Sequence, residues 1–470
     1  MDESARPARR LLDAARRYAG RKRRQLRRLS RKSLRFALLL AGAALVALVS
    51  MGFAQLADLA LHWNGRMLAD RGWLAFVVLP LGLVVVRWLT LKFAPNAVGS
   101  GIPQVIAALS LRGGPAQTRL VSLAQTLWKI PLTFATLLIG GSAGREGPSV
   151  QIGAGVMLAW GRYCQRRVAD LRGFRPNELI AAGAAGGLAA AFNAPLAGVV
   201  FAIEELGRGT VLRWDRLVLL GVLAAGFMVV ALSGNNPYFG MFGVDGGQGG
   251  LWAWALACGL VNGVLGGVFA RLLGKGAPGL VPRAWRGVVR RRPLATAFVL
   301  GLAIAALGVV TGGAIYGTGY AQASTLLAGG QLDAQGFGLA KLLATVLTYA
   351  AGVPGGIFTP ALTTGAGIGA HIGELAGAAA DQRLLVLVSM AAFLAAATQS
   401  PLAASVVVME MTGSQPMLFW LLAGSLVASV VSRQFCPMPF YHLAARRFRQ
   451  AAAEPAPQAG QASTTQAGVR

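Results

Sequence analysis

Long apolar runs recur along the chain and are separated by short polar or glycine-rich stretches. Three of them are FALLLAGAALVALVSMGFAQLA (36–57), WLAFVVLPLGLVVV (73–86) and LATAFVLGLAIAALGVV (294–310). A helix of about 20 mostly apolar residues crosses a hydrocarbon layer that is ~30 Å thick. The recurrence of such runs therefore predicts an all-α polytopic membrane protein.

The composition agrees with this pattern, because 55% of the 470 residues are hydrophobic and 13% are charged. The cysteines lack C-x-x-C spacing and the histidines belong to no ligand motif, so we expect no metal, no cofactor and no enzymatic activity. We interpret the cysteines as packing residues. The cysteines are Cys164, Cys258 and Cys436, and the histidines are His62, His371 and His442.

The formal net charge of +27 raises the question of a nucleic-acid partner. Fourteen Lys and Arg fall within residues 6–35, but no DNA-reading motif accompanies them. A basic segment beside an apolar run is typical of a cytoplasmic stretch that touches anionic lipid headgroups. We therefore expect the lipid bilayer, not nucleic acid, as its partner. A membrane-anchored nucleic-acid or lipid-binding protein remains a remote alternative.

Loop charges predict the topology, because basic loops tend to lie in the cytoplasm. We expect a multi-pass protein of a bacterial inner membrane with both termini in the cytoplasm. The predicted cytoplasmic stretches are 162–175, 207–216, 271–292 and the pair 432–435 and 445–449, and the predicted outer stretches are 233–250 and 311–320. The predicted domains are a basic segment (1–35), a transport domain (36–450) and a disordered tail (451–470).

An internal repeat is visible in two separate pieces. LAAAFNAPLAGVVFAIEE (188–205) aligns with LAAATQSPLAASVVVMEM (394–411), and PSVQIGA (148–154) aligns with PALTTGA (360–366). The first copy is followed by Arg-rich loops and the second by almost no basic residues, so the copies cross the membrane in opposite directions. Inverted-topology repeats with a site at their interface are typical of transporters. We place repeat one at about 36–216 and repeat two at about 251–450.

Four glycine- or proline-rich breaks interrupt the apolar pattern: GSGIP (99–103), GREGP (144–148), GGIFTP (355–360) and PMPFY (437–441). Glycine permits a sharp turn and proline suits the first turn of a helix, so four helices should begin there. Helix starts that meet inside the membrane would offer free N–H groups to an anion. Any single break could merely cap a loop, but four of them favour an anion site.

These motifs, together with AAFNAPLAG (190–198) and Tyr441, resemble the CLC family of chloride channels and chloride/proton antiporters over about residues 36–450. The resemblance implies a homodimer in which each subunit has its own chloride pathway through tilted and broken helices in two inverted halves. The sequence resembles the bacterial type, which has no C-terminal CBS modules. The predicted tail (451–470) is too short to contain such modules. Ser100 in GSGIP resembles chloride-preferring members.

The resemblance also implies a chloride-binding set of hydroxyls and backbone N–H groups. Both types of group can donate a hydrogen bond to an anion. The implied chloride-binding residues are Ser100 and Tyr441 on the inner side, Ile357 and Phe358 through their backbone, and Arg145, Glu146 and Gly147 at the outer position.

Glu146 places a carboxylate at a helix start in an anion site, so we expect it to be the gate and the outer proton site. When ionised it would occupy the place of a chloride, and when protonated it would swing away. A plain helix-capping glutamate is the alternative. For Arg145 we expect mainly a structural role as a charge partner of the outer vestibule.

The pair Glu204 and Glu205 lies in FAIEELGRG (201–209). Glu205 resembles the family's intracellular proton-transfer glutamate, with Glu204 as a possible helper. The alternative for Glu205 is a solvated ion pair with Arg208. Two further ionisable residues in spanning segments, Glu410 and Lys129, receive no role from the sequence.

The main hypothesis from the sequence is a chloride/proton antiporter that depends on Glu146 and Glu205. A passive, voltage- or pH-gated chloride channel of the same fold, in which Glu146 gates without proton transport, is the alternative. One departure bears on this choice. Gln104 and Ile106 follow GSGIP where many antiporters carry acids, which makes the cytoplasmic approach less acidic.

Overall fold

Helices make up nearly all of the regular structure in the described part of the chain, where only two isolated β-bridges join separate segments. The computed structural model describes residues 6–453 except 70, 112, 168–174, 209–215, 243–250, 335 and 378–380, and side chains are described outside 6–32, 216–218, 233 and 453. The prediction of an all-α polytopic fold is confirmed.

The α-helices of these residues are numbered in chain order, and a π-helical turn, Ala202–Leu206, extends α8. They are α1 (Arg6–Leu68), α2 (Ala75–Phe93), α3 (Ile102–Ser110), α4 (Pro115–Leu120), α5 (Leu123–Leu138), α6 (Glu146–Arg167), α7 (Pro176–Phe192), α8 (Pro195–Phe201), α9 (Arg216–Ser233), α10 (Leu251–Lys275), α11 (Arg286–Arg291), α12 (Pro293–Val310), α13 (Tyr320–Leu327), α14 (Phe337–Ala350), α15 (Phe358–Ala376), α16 (Gln382–Thr398), α17 (Pro401–Thr412), α18 (Leu418–Phe435) and α19 (Phe440–Ala453).

Five helical segments are long and apolar enough to cross a membrane among the described residues. Shorter apolar helices, including α14, α16 and α17, lie between them. Short helices of this kind fit a fold whose interior is built from broken and tilted segments. The five segments are Ser33–Leu68, Gly72–Phe93, Leu251–Lys275, Pro293–Val310 and Gln415–Phe435.

The predicted domain boundaries remain predictions. Helix α1 runs without interruption through position 35, where the basic segment was expected to end, and α19 continues into the predicted tail as far as Ala453. The rest of the tail, 454–470, lies outside the described residues, as do parts of three predicted loops, 168–174, 209–215 and 243–250.

The two halves of the chain repeat the same packing arrangement. Helix α6 packs on α7 as α15 packs on α16, and α7 packs on α9 as α16 packs on α18. Both arrangements depend on glycines that allow close approach. A Cβ on Gly183 of α7 would come within 2.5 Å of the Met157 Cβ of α6, and one on Gly369 of α15 would come within 2.7 Å of the Val386 Cα of α16.

Two unusual backbone positions mark the same equivalence. Asn193 (φ 52°) and Gln399 (φ 57°) are the non-glycine residues with positive φ in the described part of the chain. Each ends a helix in the left-handed conformation and stands shortly before the proline that starts the next helix. Their side chains stabilise the turns, since the amide of Asn193 donates to the Gly234 carbonyl (2.8 Å) and that of Gln399 to the Cys436 carbonyl (2.6 Å).

Candidate ion-binding site

Each of the four breaks starts a helix, as predicted. Helices α3, α6, α15 and α19 begin at Ile102, Glu146, Phe358 and Phe440. The first N–H groups of a helix have no carbonyl partner within that helix. Each start therefore carries backbone donors and the positive end of a helix dipole, both of which favour an anion.

Backbone hydrogen bonds hold three of the breaks together. Gly144 and Gly356 exchange two N–H to carbonyl bonds of 2.7 Å, which joins the segments before α6 and α15. Gly99 donates to the Val353 carbonyl and accepts from the Gly355 N–H, both at 3.1 Å, which joins the turn before α3 to the same place. Segments distant in sequence thus meet at one point inside the protein.

The fourth break contributes Tyr441 next to Ser100. The two hydroxyls lie close together, and both residues are buried, with exposed fractions of 0% and 1%. Neither hydroxyl forms a hydrogen bond with another group of the described chain. Buried hydroxyls without a partner are costly, and an anion that accepts from both would remove this cost.

Ile357 and Phe358 offer their backbone at this point. The ring of Phe358 packs against Phe192 and Phe201, with centroids 5.2 and 6.5 Å apart, so its side chain belongs to the apolar core. The first hydrogen bond of α15 runs from the Ala361 N–H to the Ile357 carbonyl (2.9 Å). The N–H of Phe358, three residues earlier, therefore has no carbonyl partner within the helix.

Glu146 is fully buried at the start of α6. The polar surroundings of its carboxylate include Arg145 and the backbone and hydroxyl of Thr359, at the start of α15. A Cβ on Gly144 would collide with the carboxylate, so glycine leaves it room there. The carboxylate therefore stands between two helix starts, as an anion would.

The Arg145 side chain turns away from these helix starts. Its Nη1 donates to the Ala54 carbonyl (2.7 Å) and lies 2.5 Å from Asp58 Oδ1, both on α1. Its Nη2 lies 3.4 Å from the Tyr238 hydroxyl, and the guanidinium stands 5.5 Å from the centre of that ring. The guanidinium thus connects the break to α1 and to Tyr238. Arg145 therefore offers a bound anion only its backbone N–H, although its charge remains close to Glu146.

Glu205 is buried as deeply as Glu146, with an exposed fraction of 0%. Its Oε2 accepts a hydrogen bond from the Ser400 hydroxyl (2.5 Å), and its Oε1 lies 3.6 Å from His442 Nε2. Arg208 donates instead to the Gln399 carbonyl (3.0 Å). The alternative of a solvated ion pair with Arg208 is therefore not what the structure shows.

Glu204 and Glu410 cap helices of opposite repeats. The Glu204 carboxylate accepts from two backbone N–H groups at the start of α17 (3.3 and 2.6 Å). The Glu410 carboxylate accepts from two at the start of α8 (3.1 and 2.6 Å). Each is a reciprocal helix cap at the same place in its repeat. This gives Glu410 a structural role that the sequence did not supply.

Two residues near the site were missed by sequence reasoning. His442 was set aside because it belongs to no ligand motif, and Ser400 was not considered, yet both contact Glu205. The position of His442 directly after Tyr441 is the signal that could have found it. Since Tyr441 adjoins His442, which lies 3.6 Å from Glu205, the fourth break brings the pair of hydroxyls close to this second carboxylate.

All three cysteines are buried as free thiols. Within the described residues no group of three His, Cys, Asp or Glu side chains could hold a metal ion.

Comparison with known proteins identifies the family. The family model described as "Voltage gated chloride channel" matches residues 81–433, which is most of the chain. The chain belongs to this family. The broken helices described above are therefore those of a member of this family.

Curated relatives agree with this family assignment. The chain is 31% identical over 392 residues to the H(+)/Cl(−) exchange transporter ClcA of Citrobacter koseri, covering 78% of this chain and 77% of the relative. It is 30% identical over 456 residues to the protein of the same name from Salmonella paratyphi B, covering 90% and 91%.

Solved structures show the same fold at lower identity. A slow cyanobacterial Cl−/H+ antiporter superposes with a TM-score of 0.68 at 24% identity, covering 88% of this chain and 98% of the other. A CLC-type fluoride/proton antiporter gives 0.69 at 23% identity, covering 87% and 97%. The polytopic fold of this family member is thus the CLC fold.

Proposed function

We propose that the protein exchanges chloride for protons across a membrane. One geometric relationship carries the proposal: two fully buried carboxylates, Glu146 and Glu205, flank the Ser100 and Tyr441 hydroxyls. Gly147, next to Glu146, packs against the Ser100 hydroxyl, and His442, next to Tyr441, lies 3.6 Å from Glu205. A protonatable group on each side of an anion site links anion passage to proton passage, because protonation of Glu146 removes its competition with the anion.

The named relatives support exchange. The two ClcA proteins described above are exchange transporters by name, and each is matched over more than three quarters of both chains. In the proposed cycle, Ser100, Tyr441 and the helix-start N–H groups hold chloride while Glu146 exchanges its proton with the outer solution. Glu205 would pass the proton to or from the cytoplasm, with Ser400 and His442 orienting its carboxylate.

A passive chloride channel is the second candidate, because the approach to the inner side carries no acid where many antiporters have one. Gln104 is fully buried, and its amide donates to the carbonyls of Asn96 (3.0 Å) and Val98 (2.6 Å). Ile106 is buried and apolar. In this alternative Glu146 gates the pathway and Glu205 carries no proton.

A homodimer in a bacterial inner membrane, with both termini cytoplasmic, completes the proposal. Apolar side chains support a partner surface along the antiparallel pair of α8 and α17. Leu196 at one end of this pair, and Ile203 and Leu402 at the other, are each about half exposed. Single-molecule photobleaching of the reconstituted protein would count the subunits. If every fluorescent particle bleached in a single step, the dimer proposal would be wrong.

The decisive experiment reconstitutes the purified protein into liposomes with a chloride gradient and no imposed pH gradient. We expect chloride flow to drive protons uphill, with no such movement in protein-free liposomes. Chloride flux without proton movement would reject exchange in favour of the channel. Salt-sensitive DNA binding that survives removal of residues 1–35 would instead favour the remote nucleic-acid alternative.

A further inference from the structure

Two buried lysines stand at equivalent places in the two repeats. Lys129 of α5 and Lys341 of α14 are both fully buried, and neither contacts an acidic side chain in the described part of the chain. An ionisable group inside a membrane domain is retained at a cost and marks a function by default. The contacts of the two amino groups indicate what that function is.

Each lysine closes a glycine turn that leads into a short helix. Lys129 Nζ donates to the carbonyls of Ala97 (2.7 Å) and Gly99 (2.6 Å), in the turn before α3. Lys341 Nζ donates to the carbonyls of Ile315 (2.8 Å) and Gly317 (2.7 Å), in the turn before α13. The turns read GSG (99–101) and GTG (317–319), so they are counterparts in sequence as well.

The central carbonyl of each turn is shared with the opposite repeat. The Gly99 carbonyl also accepts from the N–H of Gly355 (3.1 Å), the first residue of the GGIFTP break. The Gly317 carbonyl also accepts from the Ala143 N–H (3.2 Å), directly before the GREGP break. Lys129 therefore fixes the turn that carries Ser100, whereas Lys341 fixes the turn that holds the segment leading to Glu146.

We propose that Lys341 is a positioning residue for the Glu146 gate and that Lys129 is its counterpart for the inner chloride ligand Ser100. The inference rests on the proposed function of Glu146. Because Glu146 is the first residue of α6, the position of its carboxylate depends on the backbone directly before it. That backbone is held by Gly356 and by the turn that Lys341 closes.

The test compares Lys341→Met with the matched variant Lys129→Met and the conservative variant Lys341→Arg in liposomes. For Lys341→Met we expect about a tenfold loss of protons moved per chloride and a flatter pH dependence of chloride flux, since misplacing a reacting group by ~1 Å can cost on the order of 100-fold. Lys341→Arg should restore both, because a guanidinium can still donate to two carbonyls.

Lys129→Met should affect chloride binding and leave proton coupling intact, the opposite of what we expect for Lys341→Met. We expect weaker apparent chloride affinity with proton coupling retained, because Ser100 and not Glu146 loses its support. The charged or titratable neighbours of Glu146 are Arg145, Tyr238 and Tyr441, and all three are unchanged in every variant. Lys341 is itself titratable, whereas arginine stays charged at every pH used. A pH profile that changes in Lys341→Met and returns to that of the wild type in Lys341→Arg would therefore report on the position of Glu146.

Several outcomes would overturn the positioning role. Wild-type coupling and an unchanged pH profile in Lys341→Met would do so, as would an identical loss in both methionine variants. If the wild type moves no protons, exchange fails, but the pH dependence of chloride flux still tests Lys341. If Lys341→Met does not assemble, Thr363→Val removes a second tie to the same turn, the bond to the Thr318 carbonyl (3.2 Å). An unchanged pH profile there would reject the proposal.

Discussion

Gly144 and Gly356 hold each other through two backbone hydrogen bonds of 2.7 Å, one in each direction. They are equivalent residues of the inverted repeats, so the pseudo-two-fold relation between the halves passes between them. Two residues later the symmetry is broken, because one repeat carries Glu146 and the other Phe358. The fold therefore builds two equivalent helix starts and places a protonatable carboxylate at one of them.

Glu146→Ala should keep chloride flux and lose both proton coupling and the pH dependence of that flux. The alanine cannot compete with the anion or bind a proton, whereas the helix-start N–H groups remain. Chloride efflux and external pH, recorded from the same liposomes over a range of pH, provide the measurement. Full coupling in this variant would show that the gate lies elsewhere.

Glu205→Gln should slow proton movement at least tenfold while chloride flux falls much less, since general acid–base groups contribute on the order of 100-fold or more. Glutamine can still accept the Ser400 hydrogen bond but cannot carry a proton. The matched control is Glu204→Gln, which alters the neighbouring residue that caps α17. Equal loss of proton movement in the two variants would contradict separate roles for them.

Much of the site could be predicted from the sequence because its residues lie in short contiguous motifs. Glycine turns followed by proline identified the helix starts at Ile102, Glu146 and Phe358, and the repeat identified their equivalence. The partners of Arg145 could not be predicted in this way, since Asp58 lies on α1 and Tyr238 on a distant loop. Such contacts depend on tertiary packing, which a single sequence does not display.

The glutamates show the same limit. The family resemblance assigned different roles to Glu205 and Glu204, but the sequence could not show what each carboxylate contacts, because adjacent residues leave a helical turn in different directions. Packing alone shows that Glu204 meets the start of α17 whereas Glu205 meets Ser400 and His442. The roles of Lys129 and Lys341 could not be predicted either, because both lysines donate to backbone carbonyls, which no residue type in the sequence identifies.

Ser100→Ala and Tyr441→Phe should each weaken apparent chloride affinity, and the double variant should weaken it more. Each substitution removes one hydroxyl donor, and the hydrogen bond of a neutral donor to a charged group is worth about 1.5–3 kcal/mol. Isothermal titration with chloride measures this directly. Unchanged affinity in the double variant would show that the two unpaired hydroxyls do not bind the anion.

Glu410→Ala should destabilise the protein by about 0.5–2 kcal/mol without changing coupling, because it removes the cap of α8. Glu410→Gln, which keeps one acceptor, should lie in between. The thermal midpoint in detergent provides the measurement, with Glu374→Gln as the control at an exposed position. Loss of proton coupling in a normally stable Glu410→Ala protein would give Glu410 a transport role instead.

Gly147→Ala should abolish most chloride flux in a folded protein. A Cβ at this position would collide with the Ser100 hydroxyl and come within 2.9 Å of the Ser100 carbonyl oxygen, so the inner ligand must move. Gly52→Ala is the matched control, because a Cβ there would meet no atom within 4 Å. Chloride efflux and gel filtration of both variants provide the test. Normal flux in Gly147→Ala would mean that the pathway does not pass between Gly147 and Ser100.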